Sequence, residues 1–305
     1  MTMQLDLRDL RYFEAIAELE HVGRAAERLH LTQPALTRCV RRLEEAFGTA
    51  LFERVGRGIR LTPAGRKLLA RARRLHVAAD ETTREMLDFA RGESGQVRLG
   101  IVPTAAQYVL PPVCRALLSE SPEVSLKLAV GQNDVLMPSL ASGDLDMMIS
   151  FGGASDHDLQ AYAIVDDFHV VAGSKSHPLC RAMRRPTIRD LLDYRWVLPP
   201  PTVESRRLLE SVFDARGLGR PTTQIETNLL LLMPPLIEHT SLLTFISRRH
   251  LALSGAAATL REIPVKATTI RRTLSVIHRK DAYVPPAAQR LLTLLRRSAR
   301  TILLG

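Results

Sequence analysis

The chain has 305 residues, 46% of them hydrophobic and 24% charged, with 42 Lys and Arg against 32 Asp and Glu for a formal net charge of +10. That composition is ordinary for globular protein, allows two or three domains, and speaks against disorder, collagen-like repeats or a disulfide scaffold. The positive surplus favours a polyanionic partner, and Cys39, Cys114 and Cys180 are too scattered for a disulfide framework or clustered metal ligands.

Residues Met1–Leu10 carry acids and no apolar core, so no secretion signal is expected. No stretch approaches the roughly 18 uncharged apolar residues that span a bilayer. A cytoplasmic protein without membrane contact, cofactor or metal is the expectation. Nearly all the basic residues are Arg, a type suited to phosphate and guanine, although a GC-rich genome would produce the same bias.

Tyr12, Phe13, Ile16 and Leu19 mark the apolar face of a first helix. A short second helix spans about Gly23 to Leu29, with Ala25 and Ala26 where another helix must come close. His30–Leu31 reads as a turn, Thr32 as an N-cap and Pro34 as a first-turn proline of a third helix. Leu36, Val40, Leu43 and Phe47 then supply a buried face, leaving Gln33, Pro34, Thr37, Arg38 and Arg41 projecting outward. In a helix-turn-helix this helix enters the major groove of double-stranded DNA N-terminus first. Gln33 can read adenine and Arg38 guanine, each in bidentate fashion. Arg24 and Thr32 join the candidate DNA-binding set, and Arg41 and Arg42 are placed for phosphates.

From Ala50 to Thr62 the pattern is a small hairpin anchored by Leu51, Phe52, Ile59 and Leu61, with its turn at Gly56–Gly58. Arg54, Arg57 and Arg60 crowd the tip, as suits a wing on phosphates or the minor groove. Between Arg38 and Arg74 there are 11 basic and 3 acidic residues, so most of the surplus sits here.

A helical pattern then runs from Pro63 to Ala90 and ends in the breakers of Arg91–Gly95. Leu68, Ala72, Leu75, Ala79, Thr82 and Met86 recur at alternating steps of four and three, the seam of a coiled coil. Self-association through this helix, as homodimer or homotetramer, is expected; packing on the chain's own core is the alternative.

The runs Leu10-Arg-Tyr-Phe-Glu-Ala-Ile-Ala-Glu, Arg24-Ala-Ala-Glu-Arg-Leu-His-Leu-Thr-Gln-Pro-Ala-Leu-Thr-Arg, Arg42-Leu-Glu-Glu, Leu51-Phe-Glu-Arg and Leu61-Thr-Pro-Ala-Gly resemble the LysR-type transcriptional regulators over about 60 residues without a gap. Two positions depart from the family pattern. Val22 stands where Phe is usual, and Gly23 where Ser or Thr often caps, which puts one phosphate contact in question. The resemblance implies an α/β protein with an all-α-plus-wing N-terminal domain. It implies a winged helix-turn-helix at 1–64, a linker and dimerisation helix at 65–92, and a periplasmic-binding-protein-like effector-binding domain at 93–305. It also implies a small-molecule effector and RNA polymerase as partners.

After Val97 apolar strands alternate with helices. Val97–Thr104 reads as a strand ending in a polar hinge, and Pro111–Pro112 punctuates a helix running to Ser119. Val124–Val130 and Leu145–Ile149 follow as strands around a Leu136–Ser142 helix. The family's Gly…Pro-Thr…Leu-Pro-Pro and Leu…Gly-Asp-Leu-Asp patterns are kept at Gly100, Pro103, Thr104, Leu110–Pro112, Leu140 and Gly143–Asp146. Two lobes are expected, at about 96–164 plus 270–305 and at 165–269, with crossovers near Ile164–Phe168 and Pro264–Thr269. Ligands of open α/β sheets bind beyond the strand carboxyl ends. That rule makes Pro103, Thr104, Gln132, Ser150, Phe151, Thr202, Val203, Ser205 and Asn228 the candidate effector residues. Trp196-Val-Leu-Pro-Pro-Pro followed by Arg206-Arg-Leu-Leu looks like the galactose-binding-protein-regulator branch, which implies a sugar or an aromatic or organic acid as effector.

Enzyme signatures are missing: no Gly-Lys-Thr loop, no His-Glu-x-x-His, no Gly-x-Ser-x-Gly. His157, His169 and His177 are expected in turns or at the surface, and Asp144/Asp146 and Asp166/Asp167 as solvated acids. Cys180 lacks the nearby second Cys that a peroxide-sensing relative would use. Two alternatives stay open: a small-molecule binder whose basic N-terminus docks a protein, and a nucleoid-type DNA binder without ligand.

Overall fold

The computed structural model describes residues 5–56, 58–91, 95–153, 157–229, 232–253 and 258–302. They fall into two compact units, Met1–Leu87 and Asp88–Gly305.

The first unit holds helices α1 (Leu7–Leu19), α2 (Val22–Leu29) and α3 (Gln33–Phe47), strands β1 (Phe52–Val55) and β2 (Gly58–Leu61), and most of helix α4 (Pro63–Arg91). Asp6 caps α1 by accepting from the Arg8 amide at 2.8 Å. Ala25 and Ala26 are buried with Ile16 and Leu36, so their small side chains let three helices meet. Helix α2 starts at Val22 and is capped by His21, whose Nδ1 accepts from the Arg24 amide, so Gly23 is not the cap expected of it. Thr32 occupies the N-cap position of α3, but its side chain makes no capping bond; Pro34, with φ preset for helix, lies in the first turn.

The buried seam of α3 is Leu36, Cys39 and Leu43. Val40 is half-buried, and Phe47, assigned above to the buried face, is exposed because it lies past the end of the three-helix core. Arg42 is not available for phosphates either. Its Nη2 donates to both carboxylate oxygens of Asp9, at 2.7 and 2.9 Å, tying α3 to α1. Glu44 accepts from the Leu51 and Phe52 amides at 2.8 and 3.3 Å and so fixes where the wing begins. Strands β1 and β2 pair antiparallel from Phe52↔Leu61 to Val55↔Gly58, with Gly56 at φ 59° turning the chain. A Cβ on Gly65 would come within 2.1 Å of the Leu51 carbonyl oxygen, so only glycine lets α4 press this closely on the wing.

The expected α4 seam divides. Leu68 and Ala72 pack on the chain's own Phe13–Leu43–Leu51 core or are buried beside it, which is the single-chain alternative. Thr82 is exposed, Ala79 half-buried, and Leu75 and Met86 stand 43% and 56% exposed, so only this stretch is open to a partner helix.

The second unit runs β3 (Gln96–Ile101), α5 (Pro103–Glu120), β4 (Ser125–Val130), α6 (Asn133–Ala141), β5 (Met147–Phe151), β6 (Leu159–Ser174), α7 (Pro178–Arg181), β7 (Arg195–Leu198), α8 (Glu204–Asp214), β8 (Thr222–Glu226), α9 (Met233–Glu238), β9 (Thr244–Ser247), α10 (Arg248–Leu253), β10 (Leu260–Glu262), β11 (Ile270–Arg279) and α11 (Pro286–Ile302). Helix α5 is continuous through Pro111 and Pro112, which were expected to punctuate it. Both prolines face solvent, while Ala105, Val109, Val113 and Leu117 hold the buried face. Strand β5 starts later than expected, at Met147, because Asp146 is taken by Arg98.

Lobe one is the parallel set β4-β3-β5, with β11 antiparallel to β5. Its single core runs from Val97 through Leu136 and Met148 to Leu291. Strand β6 pairs with β11 over Leu159–His169 and then continues into lobe two, where it pairs with β9 and β10. There the two-residue period of a strand becomes visible: Val170 and Ala172 enter the core of Met233, Ile237 and Ile246, whereas Val171 enters that of Trp196, Leu209 and Phe213. In β6, Val165 packs in lobe one and Val170 in lobe two, beside an expected crossover near Ile164–Phe168. The return was expected at 264–269 but lies within β11, because Ile270 still packs in lobe two and Leu274 in lobe one.

Candidate nucleic-acid interface and ligand cleft

In the first unit, Arg24, Thr32, Gln33, Pro34, Thr37, Arg38, Arg41, Arg54 and Arg60 are all exposed. Burial of Leu36, Cys39 and Leu43 turns the Gln33–Thr37–Arg38 face of α3 to solvent. The Thr37 hydroxyl donates back to the Gln33 carbonyl at 3.0 Å, and Arg41 pairs with Glu45 at 2.6 Å. The side chains of Arg24, Gln33, Arg38, Arg54 and Arg60 have no hydrogen-bond or ion-pair partner among the described residues. These are free donors on a basic surface. Arg57, the third arginine of the wing tip, lies outside the described residues. The wing is held in place by the Ile59 amide donating to the Glu20 carbonyl at 3.2 Å.

In the second unit the lobes enclose a cavity of about 220 Å³. Thr104, Gln132, Ser150, Phe151, Thr202, Val203 and Ser205 line it, while Pro103 and Asn228 line a recess just outside. Three helices of eight residues or more begin at this cavity, and none has a side-chain cap: α5 after Val102, α6 after Gln132 and α8 after Val203. First-turn amides have no partner within their own helix and carry partial positive charge. Asp134 and Glu204 already serve α6 and α8, but the first turn of α5 has no acid.

Several cavity groups were not foreseen from sequence, among them Arg272, Glu204, Asn133 and His169. Arg272, on β11, is 9% exposed, and its Nη2 donates to Glu204 at 2.7 Å. Among the described residues this is its only hydrogen bond, leaving four of five N–H donors unused; its guanidinium lies 4.9 Å from the Phe151 ring centre. Burial pulls Arg272 below its ordinary value against the opposing influence of Glu204. Glu204 also accepts from Asn133 at 3.3 Å, and Asn133 in turn accepts from Ser150, so one polar chain runs from lobe one through lobe two to the hinge strand. His169 is another. Expected at the surface, it is 4% exposed, set edge-on to Phe151 at 5.4 Å and beside Phe245 at 5.3 Å. Burial, with a smaller effect of Arg272, lowers it to about 3, so the ring is neutral, and its Nδ1 has no partner among the described residues.

Of the acids expected in solvent, Asp144 and Asp166 are exposed, but Asp146 and Asp167 are buried. Asp167 accepts from the Ser247 hydroxyl and the Phe168 amide, and Asp146 from the Arg98 guanidinium at 2.8 Å. His177 is buried and caps α7. A hydroxyl and an amide satisfy Asp167, a guanidinium Asp146, and the Leu179 amide His177, partners that a linear pattern cannot show. Among the described residues no group of three or more His, Cys, Asp or Glu could hold a metal, and no helix is long and apolar enough to cross a membrane.

Comparison with known proteins identifies both units. Residues 7–66 match the bacterial regulatory helix-turn-helix protein of the lysR family, and residues 90–300 match the LysR substrate binding domain. The transcriptional regulator CbbR of Xanthobacter flavus is 29% identical over 297 residues, covering 97% of this chain and 89% of the relative. GbpR of Azospirillum brasilense is 28% identical over 306 residues, covering 98% and 88%. Full-length CbnR, solved in complex with its target DNA, is similar in fold with a TM-score of 0.62 at 23% identity, covering 96% of this chain and 100% of that one. The chain belongs to the LysR family of DNA-binding transcriptional regulators, with that family's helix-turn-helix and effector-binding domains.

Proposed function

We propose that this regulator reads double-stranded DNA with Gln33 and Arg38 in the major groove and responds to a small organic anion held between its two lobes. Arg24, Thr32, Pro34 and Thr37 would lie in the same DNA interface, and Arg41, Arg54, Arg57 and Arg60 would position the head on phosphates. A homodimer or homotetramer would form through the open Leu75–Met86 stretch of α4, and RNA polymerase would be a further partner. The observation that carries the effector assignment is Arg272: a buried guanidinium with one internal bond, beside the acid-free start of α5 and the unpartnered His169. A carboxylate could take two of its remaining donors in a fork while Thr104 and the α5 amides hold the other face. Neutral His169 can donate or accept beside it without adding charge.

An anion that binds only the closed lobes shifts the population by no more than its differential affinity for the two states. Isothermal titration with benzoate and with benzamide tests the charge requirement: the acid binds and the amide does not. Equal binding of the two overturns the anionic assignment. For DNA, a footprint lost steeply with salt supports several phosphate contacts, whereas a salt-indifferent complex would favour a protein partner at the basic head.

A further inference from the structure

Beyond the small cavity the cleft widens into a second recess of about 590 Å³. Gln132, Asp134, Thr202 and Val203 line both spaces, so the two adjoin. Their chemistry differs. The inner space meets Arg272, Ser150, Thr104 and His169, whereas the outer one is walled by Pro103, Val130, Val135, Pro200 and Leu229. Val130 and Val135 from lobe one and Leu229 from lobe two are 59%, 61% and 49% exposed, yet all three border the same recess. Apolar side chains exposed singly carry no message; several converging on one concavity mark a binding surface.

We infer that the effector is an amphipathic carboxylate, with its anionic head at Arg272 and the start of α5 and an apolar tail of several carbons lying along Val130, Val135 and Leu229. This rests on the anionic assignment of the inner cavity. A compact polar anion would fill 220 Å³ and leave the apolar recess in water, whereas an acid with a tail covers both. Val203 and Thr202 stand at the neck, where head meets tail, and Asp134 at the same neck disfavours a second anionic group there.

The full-length protein is titrated calorimetrically with acetate, butyrate, hexanoate and octanoate, and with octanamide. Affinity is expected to rise up to about fourfold per added methylene until the recess is filled. Octanamide, with the same tail and no charge, should bind far more weakly than octanoate. Leu229→Asp should flatten the chain-length series. A flat series in the native protein, with short acids still bound, overturns the tail and leaves the anionic cavity standing. Failure of every acid, or equal binding of octanamide, overturns the anionic assignment and this inference with it. If Val130→Asp changes the mass by light scattering and leaves the series intact, the recess is a contact between copies and the inference is wrong.

Discussion

On α2, α3 and the wing, Arg24, Gln33, Arg38, Arg54 and Arg60 stand in solvent without a partner among the described residues, while in the cleft Arg272, Glu204, Asn133 and Ser150 form one hydrogen-bonded chain whose guanidinium end is buried. The head keeps its donors hydrated until a polyanion releases counterions, so its binding energy is salt-dependent and spread over many contacts. In the cleft the Arg272 guanidinium is buried, so removal of Glu204 would leave it unsatisfied. Exposed charge therefore tunes affinity in small steps, and buried charge acts in large ones.

The largest test is in the second unit. Arg98→Ala leaves Asp146, 2% exposed at its side chain, without its guanidinium and should destabilise by about 3–5 kcal/mol in urea unfolding. The counterpart in the head, Arg42→Ala, should cost only about 1 kcal/mol, because Arg42 is 57% exposed. Equal losses would dissolve the contrast between the regions. Next, Arg38→Ala should remove about 1–3 kcal/mol of discrimination between the preferred site and a one-base variant in a mobility-shift assay. Loss of affinity without loss of discrimination would move Arg38 from base reading to phosphate contact.

The pH test follows. His169 is lowered to about 3 in the folded chain, below the ordinary value near 6.5, so the unfolded chain binds the proton that the folded chain refuses. Its contribution is absent above pH 6.5, and stability falls as pH drops from 6.5 toward 3, by about 2 kcal/mol at pH 5. His169→Gln should flatten that part of the thermal-stability profile; an unchanged slope would assign it to His177 and His250, which burial also lowers. Smallest of all, Arg60→Ala should weaken every DNA sequence alike and reduce the salt slope by about 1.

The helix-turn-helix was legible because its signals are local. Periodicity, a first-turn proline and the spacing of Leu36 and Leu43 place Gln33 and Arg38 outward whatever the rest of the chain does. What escaped were positions where a neighbour distant in sequence decides. His21 displaces Gly23 as cap, and Asp9 takes Arg42 from across 33 residues. In the cleft, the strand-end rule reached Thr104 and Val203, where helices start by chain order alone, and Ser150 at the end of β5. It missed His169 and Arg272, which lie inside strands and reach the cavity only because β6 and β11 cross between lobes.

Local chain chemistry thus determined the family, the head and the strand-end rim of the cavity. Tertiary packing alone decided that Leu68 and Ala72 turn inward while Leu75 and Met86 stay open, and that Arg272, Glu204 and Asn133 meet. Helix and strand periods are written into consecutive residues. The partner of a buried charge is set by which elements fold against each other, and no spacing along the chain encodes that choice.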